Sequence, residues 1–227
     1  MKNIKIFFQL LTLSFTCCLL TSCFDFVEDI DLNDNGSGTI KATLNLSKSS
    51  TKVASLMKLK SVNGIKIPTK EQIRSETEDM IRILKNTEGI SQVQYNLDFK
   101  NYIATVSCSF TSINALNAFS KALGTHFKSS LGNNNSYHYN IKAGTFTRSY
   151  TYSASIGKEY AKISQNDKKY FDDAYYTQII RFNKSVKSQM HTNAKVSSNA
   201  KAVFLKLKAT DLVSGKASLA NTIFLNN

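Results

Sequence analysis

Between Val93 and Phe110 the chain alternates apolar and polar residues in two consecutive runs separated by a short polar turn. Val93, Tyr95, Leu97 and Phe99 alternate with Gln92, Gln94, Asn96 and Asp98, and after Lys100-Asn101 the set Tyr102, Ala104, Val106, Cys108 and Phe110 alternates again. A period of two is that of a strand with one buried face. Folding the runs about a two-residue turn pairs 99 with 102, 97 with 104, 95 with 106 and 93 with 108. Every apolar residue then falls on one face, which must be covered. Cys108 is expected opposite Val93 in that core, acting as a small hydrophobe, because a reactive thiol wants exposure and nearby positive charge.

Similar logic organises the rest of the chain. Ile30 and Leu32, then Ile40, Ala42, Leu44 and Leu46, share one parity around Asn33-Asp34-Asn35-Gly36-Ser37-Gly38, as a half-buried hairpin requires. That turn resembles a calcium loop, but Lys41 and Leu44 stand where the later ligands would fall. Residues 47–61 read as a short amphipathic helix or an ordered loop. Thr69 and Gln72 form a capping box, with a stripe of Ile73, Thr77, Met80, Ile81 and Leu84 behind it and Gly89 as the stop. A second helix has Ser112 as cap, Leu116, Phe119 and Leu123 inward, and Gly124 at its end. Leu131 to Ser136 reads as a loop or hinge. A hairpin follows with Tyr137, Tyr139 and Ile141 before Gly144, and Phe146, Arg148, Tyr150 and Tyr152 after it. A helical stretch near 156–173 and strands near 174–183, 201–209 and 218–226 complete the chain, with 184–200 as a polar connection. The fold class expected is α+β: an antiparallel sheet built from hairpins, two or three flanking helices and a strand-rich C-terminal part. Residues 23–130 and 131–227 pack as one domain in this reading.

The start of the chain carries a different message. After Lys2 and Lys5, an apolar run of about 15 residues ends in Leu20-Thr21-Ser22-Cys23, a pattern like a bacterial lipobox. A membrane-spanning helix needs roughly 20 residues. An ordinary secretory signal would offer a small residue three positions before the cut, where Leu20 stands. Residues 1–22 are therefore expected to be a lipoprotein signal peptide, with Cys23 lipidated. Each buried methylene contributes about 0.8 kcal/mol, so several acyl chains hold a protein to a membrane essentially permanently. Phe24 rather than Asp after the lipidated Cys favours the outer membrane of a bacterial envelope. Of 4 cysteines, Cys17 and Cys18 leave with the signal and Cys23 carries lipid, so Cys108 has no partner for an internal disulfide.

Charge is unevenly spread along the chain, whose formal net charge is +13. Residues 25–34 hold Asp25, Glu28, Asp29, Asp31 and Asp34 and no base, whereas 99–158 contain no carboxylate. A basic body beside a bilayer would be drawn to anionic lipid or acidic glycan, and an exported chain rarely meets nucleic acid. The aromatic hairpin supplies the candidate ligand or head-group contacts: Tyr137, Tyr139, Arg148, Tyr150 and Tyr152. Ordinary sheet packing accounts for the same residues. Chemistry is sparse elsewhere. The 3 histidines, His126, His138 and His191, stand alone without Cys or carboxylate at ligand spacing, so neither a metal nor a cofactor is expected. No nucleophile elbow, phosphate loop or zinc-protease motif occurs, and no catalytic residue is assigned.

The order hairpin, helix, hairpin, helix, the lipobox and the acidic strand Asp25–Leu32 leading into Asn33-Asp34-Asn35-Gly36-Ser37-Gly38-Thr39 resemble the LppM-type lipoprotein domain family. Arg181-Phe182-Asn183, Ala194-Lys195-Val196-Ser197 and Asp211-Leu212 are similar to its closing strands. Family members usually have Pro where Asn183 stands and Asp-Gly where Asn199-Ala200 stands. The resemblance implies an α/β domain similar to lipid-binding folds and carries no catalytic site. The expected function is a non-enzymatic binding or structural role at the membrane, with lipid or another amphiphile as ligand. An interaction module for an envelope protein is the alternative. A hydrolase with His138 or His191 beside a carboxylate and a hydroxyl is third.

Overall fold

The computed structural model describes residues 24–62, 65–126 and 135–226. Leu20, Thr21, Ser22 and Cys23 lie outside the described residues, as do residues 131–134 of the expected hinge. Strands β1 (Asp25–Leu32) and β2 (Gly38–Asn45) form the first hairpin, with Ile30 opposite Ile40. A helical turn leads into α1 (Ser50–Leu56), and the small ladder of β3 (Ser61–Val62) and β4 (Ile65–Lys66) precedes α2 (Lys70–Lys85). Both halves of the expected capping box are made, Thr69 Oγ1 accepting from the Gln72 amide and Gln72 Oε1 from the Thr69 amide. Thr77, Met80, Ile81 and Leu84 form the buried stripe. The helix stops at Lys85, before Gly89; that glycine, at φ +77°, instead makes the turn into the next strand, where a Cβ would collide with Thr111 and Ala115.

Strands β5 (Ile90–Asp98) and β6 (Ile103–Phe110) keep the expected register over Leu97↔Ala104 and Tyr95↔Val106. Two details differ. The turn spans four residues, pinned by Asp98 Oδ1 accepting from the Lys100 and Asn101 amides. A bulge between Ser91 and Gln94, with Gln92 at φ +52°, takes Val93 off Cys108 and aligns Ser91 with Ser109. Tyr95, on the outermost strand of this sheet, is 39% exposed.

Helix α3 (Ile113–His126) buries Leu116, Phe119 and Leu123 as expected but runs through Gly124. Next come the aromatic hairpin, β7 (Asn135–Asn140) and β8 (Thr145–Tyr150), and α4 (Ala154–Lys162). The helix expected over 156–173 is broken: beyond α4 only short helical turns at Gln165–Lys168 and Lys169–Phe171 remain. Strand β9 (Tyr175–Phe182) follows, and the polar connection holds two further strands, β10 (Val186–Gln189) and β11 (Ala194–Val196). The chain ends with β12 (Ala202–Lys208), α5 (Ala209–Val213) and β13 (Asn221–Leu225).

The class is α+β, mostly antiparallel, with a strand-rich C-terminal part. One sheet has seven strands in the order β11-β12-β9-β1-β2-β6-β5 and the other four, β10-β13-β8-β7. Only β1 and β9 run parallel among the pairs of these two sheets. Strand β1 lies between β2 and β9, so both halves of the chain build one sheet. Its inner face is covered in two parts. Met80, Ile81 and Leu84 of α2 and Leu116 and Phe119 of α3 share a core with Ile40, Cys108 and Phe110, and Phe146, Ile223 and Leu225 of the small sheet share it with Ile180, Phe182 and Val203. At the β7 edge, Asn117 of α3 accepts from the Tyr137 amide (2.7 Å) and donates to its carbonyl (2.9 Å), standing in for a neighbouring strand.

Candidate functional site

Alternation along β1 places Glu28 on the same face as Ile30 and Leu32, so its carboxylate enters the space between the two sheets. It is met there by the aromatic hairpin. Arg148, 3% exposed, donates from Nη1 to Glu28 Oε2 (3.0 Å) and to Tyr176 Oη (2.8 Å). Tyr176 donates its hydroxyl to the same carboxylate oxygen at 2.5 Å, and Gln178 Nε2 does so at 2.9 Å while also reaching Tyr137 Oη at 3.3 Å. The guanidinium lies over both the Tyr137 ring (5.4 Å) and the Tyr176 ring (5.3 Å). Burial by itself lowers the Arg148 pKa, but the Glu28 carboxylate and the hydrogen bond to Tyr176 are among the contacts that raise it above its ordinary level, keeping the group charged. Burial pushes both tyrosine hydroxyls well above their usual range, keeping them protonated as donors. Arg148 Nε and the Tyr150 hydroxyl are buried with no partner among the described residues. The cluster fastens β1 and β9 of the large sheet to β7 and β8 of the small one. The network fixes how the two sheets sit.

Space for a ligand lies at the two ends of the large sheet. Where β1 begins, a cleft of about 150 Å³ opens between α1, the start of α2 and the β5–β6 turn. Leu44, Leu46, Val53, Met57, Ile73 and Leu97 line it, with Asp98, Phe99 and Tyr102 at the turn, the Asp98 carboxylate accepting from the Lys100 and Asn101 amides. A dry apolar cavity of roughly this size accepts a benzene-sized group. Lys70 Nζ and the Arg74 guanidinium stand over the Phe99 ring, at 5.6 and 5.7 Å, giving the cleft a basic border. At the opposite end a wider polar groove of about 560 Å³ is bounded by residues that include Asp31, Arg181 and Lys201.

The chain is similar to the folded domain of the Mycobacterium tuberculosis protein LppM, with a TM-score of 0.44 and 12% sequence identity over 91% of this chain and 93% of that one. No family model matches, and no curated protein matches.

The sequence-predicted contacts divide by burial. Tyr137 and Arg148 are inside, in the network with Glu28. Tyr139 is half-buried against Phe146, and burial raises its hydroxyl pKa. Tyr150 packs on the cluster of Tyr176, Leu205, Leu207, Leu212 and Leu219. Tyr152, 38% exposed, donates its hydroxyl to the Val213 carbonyl at 3.2 Å. None of the five side chains lines either of the two clefts described above. Neither cleft was anticipated from the sequence. Its one available signal for the interior site was Glu28 itself, a carboxylate at a buried parity that requires a partner. Of the histidines whose side chains are described, His138 is exposed, and His191 uses both ring nitrogens locally, toward the Ser218 carbonyl (2.9 Å) and the Asn193 amide (3.1 Å). Cys108 is buried at 3% exposure beside Ile40, and burial pushes its thiol up to about 12. Among the described residues no three His, Cys, Asp or Glu side chains converge as metal ligands, and no helix is long and apolar enough to cross a membrane.

Proposed function

We propose that this protein is a lipid-anchored envelope protein with a non-enzymatic role, and that it holds the apolar end of an amphiphile in the cleft between α1, α2 and the β5–β6 turn. The observation that carries the reading is the chemistry of that cleft, apolar on its walls with Lys70 and Arg74 at its border. Its place supports the same view. Leu44 pairs with Phe26, so the cleft sits at the end of the sheet where the chain arrives from Cys23. An anchor at Cys23 would bring this end against the bilayer, where apolar groups are supplied and anionic head groups meet the lysines. The exposed Leu59, flanked by Lys58 and Lys60, is at the same end. Exposed large apolar residues otherwise occur singly on different elements, including Ile83, Ile141, Met190 and Phe204, a pattern that favours a cleft ligand over a broad protein-binding patch.

The test is native mass spectrometry of the full chain, purified from its membrane in mild detergent, beside Val53→Trp, which fills the cleft. A stoichiometric lipid adduct on the wild type, reduced at least about tenfold in the variant, is expected. A wild-type protein without adduct, or equal adducts on both, refutes the reading.

A further inference from the structure

The polar groove at the far end of the large sheet has no part in the lipid reading. We propose that it binds a neutral saccharide unit. Three turns converge there: 33–37 between β1 and β2, 183–185 between β9 and β10, and 197–201 between β11 and β12. The groove, at about 560 Å³, falls within the size range of small-molecule sites. Leu32 and Phe182, both nearly fully buried, and Ala202 give it an apolar floor.

Its charge balance selects the ligand class. The Arg181 guanidinium is already committed, to Asp29 and, at 3.3 Å, to Asp31. Counting Lys184 and Lys201 in the converging turns with Arg181, and Asp34 with Asp29 and Asp31, three cations stand against three carboxylates, so this end is electrically balanced although the whole chain is strongly basic. An anionic ligand would meet Asp31, and a cationic one Arg181 and Lys201. A neutral ligand rich in hydroxyls uses both signs, because each hydroxyl both donates and accepts. Among the lining residues Lys201 and Asn199 carry donors, and Asn183 and Asp31 carry acceptors.

The groups are also held in place. Asn183 donates to Asn33 Oδ1 at 3.4 Å, and Asn33 in turn donates to Ser37 Oγ at 3.0 Å, so two of the turns share one chain of bonds. In the third, Asn199, which lines the groove, accepts at Oδ1 from Ser197 Oγ (2.6 Å) and from the Lys201 amide (3.1 Å), so its Nδ2 takes no part in these bonds. Ala200, between Asn199 and Lys201, adopts φ +54°, a left-handed conformation unfavourable for alanine. It is held there by the Val186 amide donating to the Ala200 carbonyl (2.6 Å) and the Phe182 amide donating to that of Lys201 (2.9 Å). Such strain persists only where surrounding bonds enforce it, and it gathers at ligand sites. Pre-fixed polar groups spare a ligand part of the entropy cost of binding. The eight residues of β1 put this groove about 25 Å from the apolar cleft.

Saturation-transfer NMR and calorimetry on the full lipidated chain in detergent micelles test the proposal, with maltotriose and triacetylchitotriose as neutral probes and trigalacturonate as the acidic one. Expected are transfer to at least one neutral trisaccharide, weaker binding of the acidic probe, and an affinity at least about tenfold lower in both Asn183→Ala and Lys201→Met, whose circular dichroism matches the wild type. Absence of transfer to both neutral probes, preference for trigalacturonate, or affinities within about threefold in both variants would overturn it. None of these outcomes bears on lipid adducts in the cleft, so the two proposals fail separately.

Discussion

Substituting Glu28 by Leu probes the bond between the two sheets most directly. The substitution removes one carboxylate oxygen that accepts from Arg148, Tyr176 and Gln178, and leaves the guanidinium without its carboxylate in a site where Arg148 is 3% exposed. Gln178 keeps Tyr137 Oη as an acceptor, but the arginine keeps only Tyr176 Oη and the two aromatic faces. Leaving one buried partner of an ion pair uncompensated costs about 3–5 kcal/mol, a large part of a stability of roughly 5–15 kcal/mol. With a urea m-value of about 2–3 kcal/mol/M, the unfolding midpoint should fall by roughly 1–2 M. Replacing the pair together, Glu28→Leu with Arg148→Met, removes the stranded charge, and apolar substitutes of similar volume are often neutral in such sites. The double variant should therefore recover at least about half of the loss, an interaction energy of about 2 kcal/mol or more in the cycle. Urea titrations of the four proteins, followed by circular dichroism, give these quantities. A Glu28→Leu cost below about 1 kcal/mol, or strictly additive single substitutions, would show that the pair does not fasten the sheets.

Two further outcomes are expected. Burial holds the Cys108 thiol at about 12, above its ordinary 9.0, and also raises Tyr137 and Tyr176, so the folded chain keeps protons that the unfolded chain releases. The unfolded state then binds fewer protons above about pH 9, and stability falls as pH rises, by up to about 1.4 kcal/mol per pH unit for each such group; urea midpoints at pH 8 and pH 10.5 measure this, and rapid iodoacetamide labelling of Cys108 in the native protein at pH 8 would contradict it. Asn117→Ala removes both bonds to the Tyr137 backbone and leaves a part-buried amide and carbonyl unpaired, so it should cost about 1–3 kcal/mol; hydrogen exchange at the Tyr137 amide should accelerate with it, and an unchanged rate would mean that water or another group caps the edge.

Local patterns in this chain carry local structure well. The capping box at Thr69–Gln72, the stripe behind it and the Leu97/Ala104 register follow from rules acting within a few residues, and each is present. The differences have physical reasons. The bulge at Gln92 uses a left-handed φ at a residue other than glycine, which no composition rule signals. Gly124 lies inside α3 because packing of Leu116, Phe119 and Leu123 outweighs the modest helical penalty of one glycine. Strands β10 and β11 have only four and three residues, too short for alternation to stand out from a polar connection.

The candidate sites were less legible. Arg148 stood out because it interrupts an aromatic strand, but its partner Glu28 lies 120 residues away. Both clefts form only where separate turns and helices meet. The sequence by itself therefore determined the longer hairpin strands, the N-terminal cap of α2 and the inward faces of α2 and α3, since hydrogen bonding and apolar periodicity act over neighbouring residues. Tertiary structure alone decided that β1 would sit between β2 and a parallel β9, bringing the acidic Asp29 and Asp31 to Arg181 and Glu28 to Arg148. Those pairings depend on strand order and the packing of two sheets, and the energy of a contact across 120 residues leaves no trace in the pattern on either side of it.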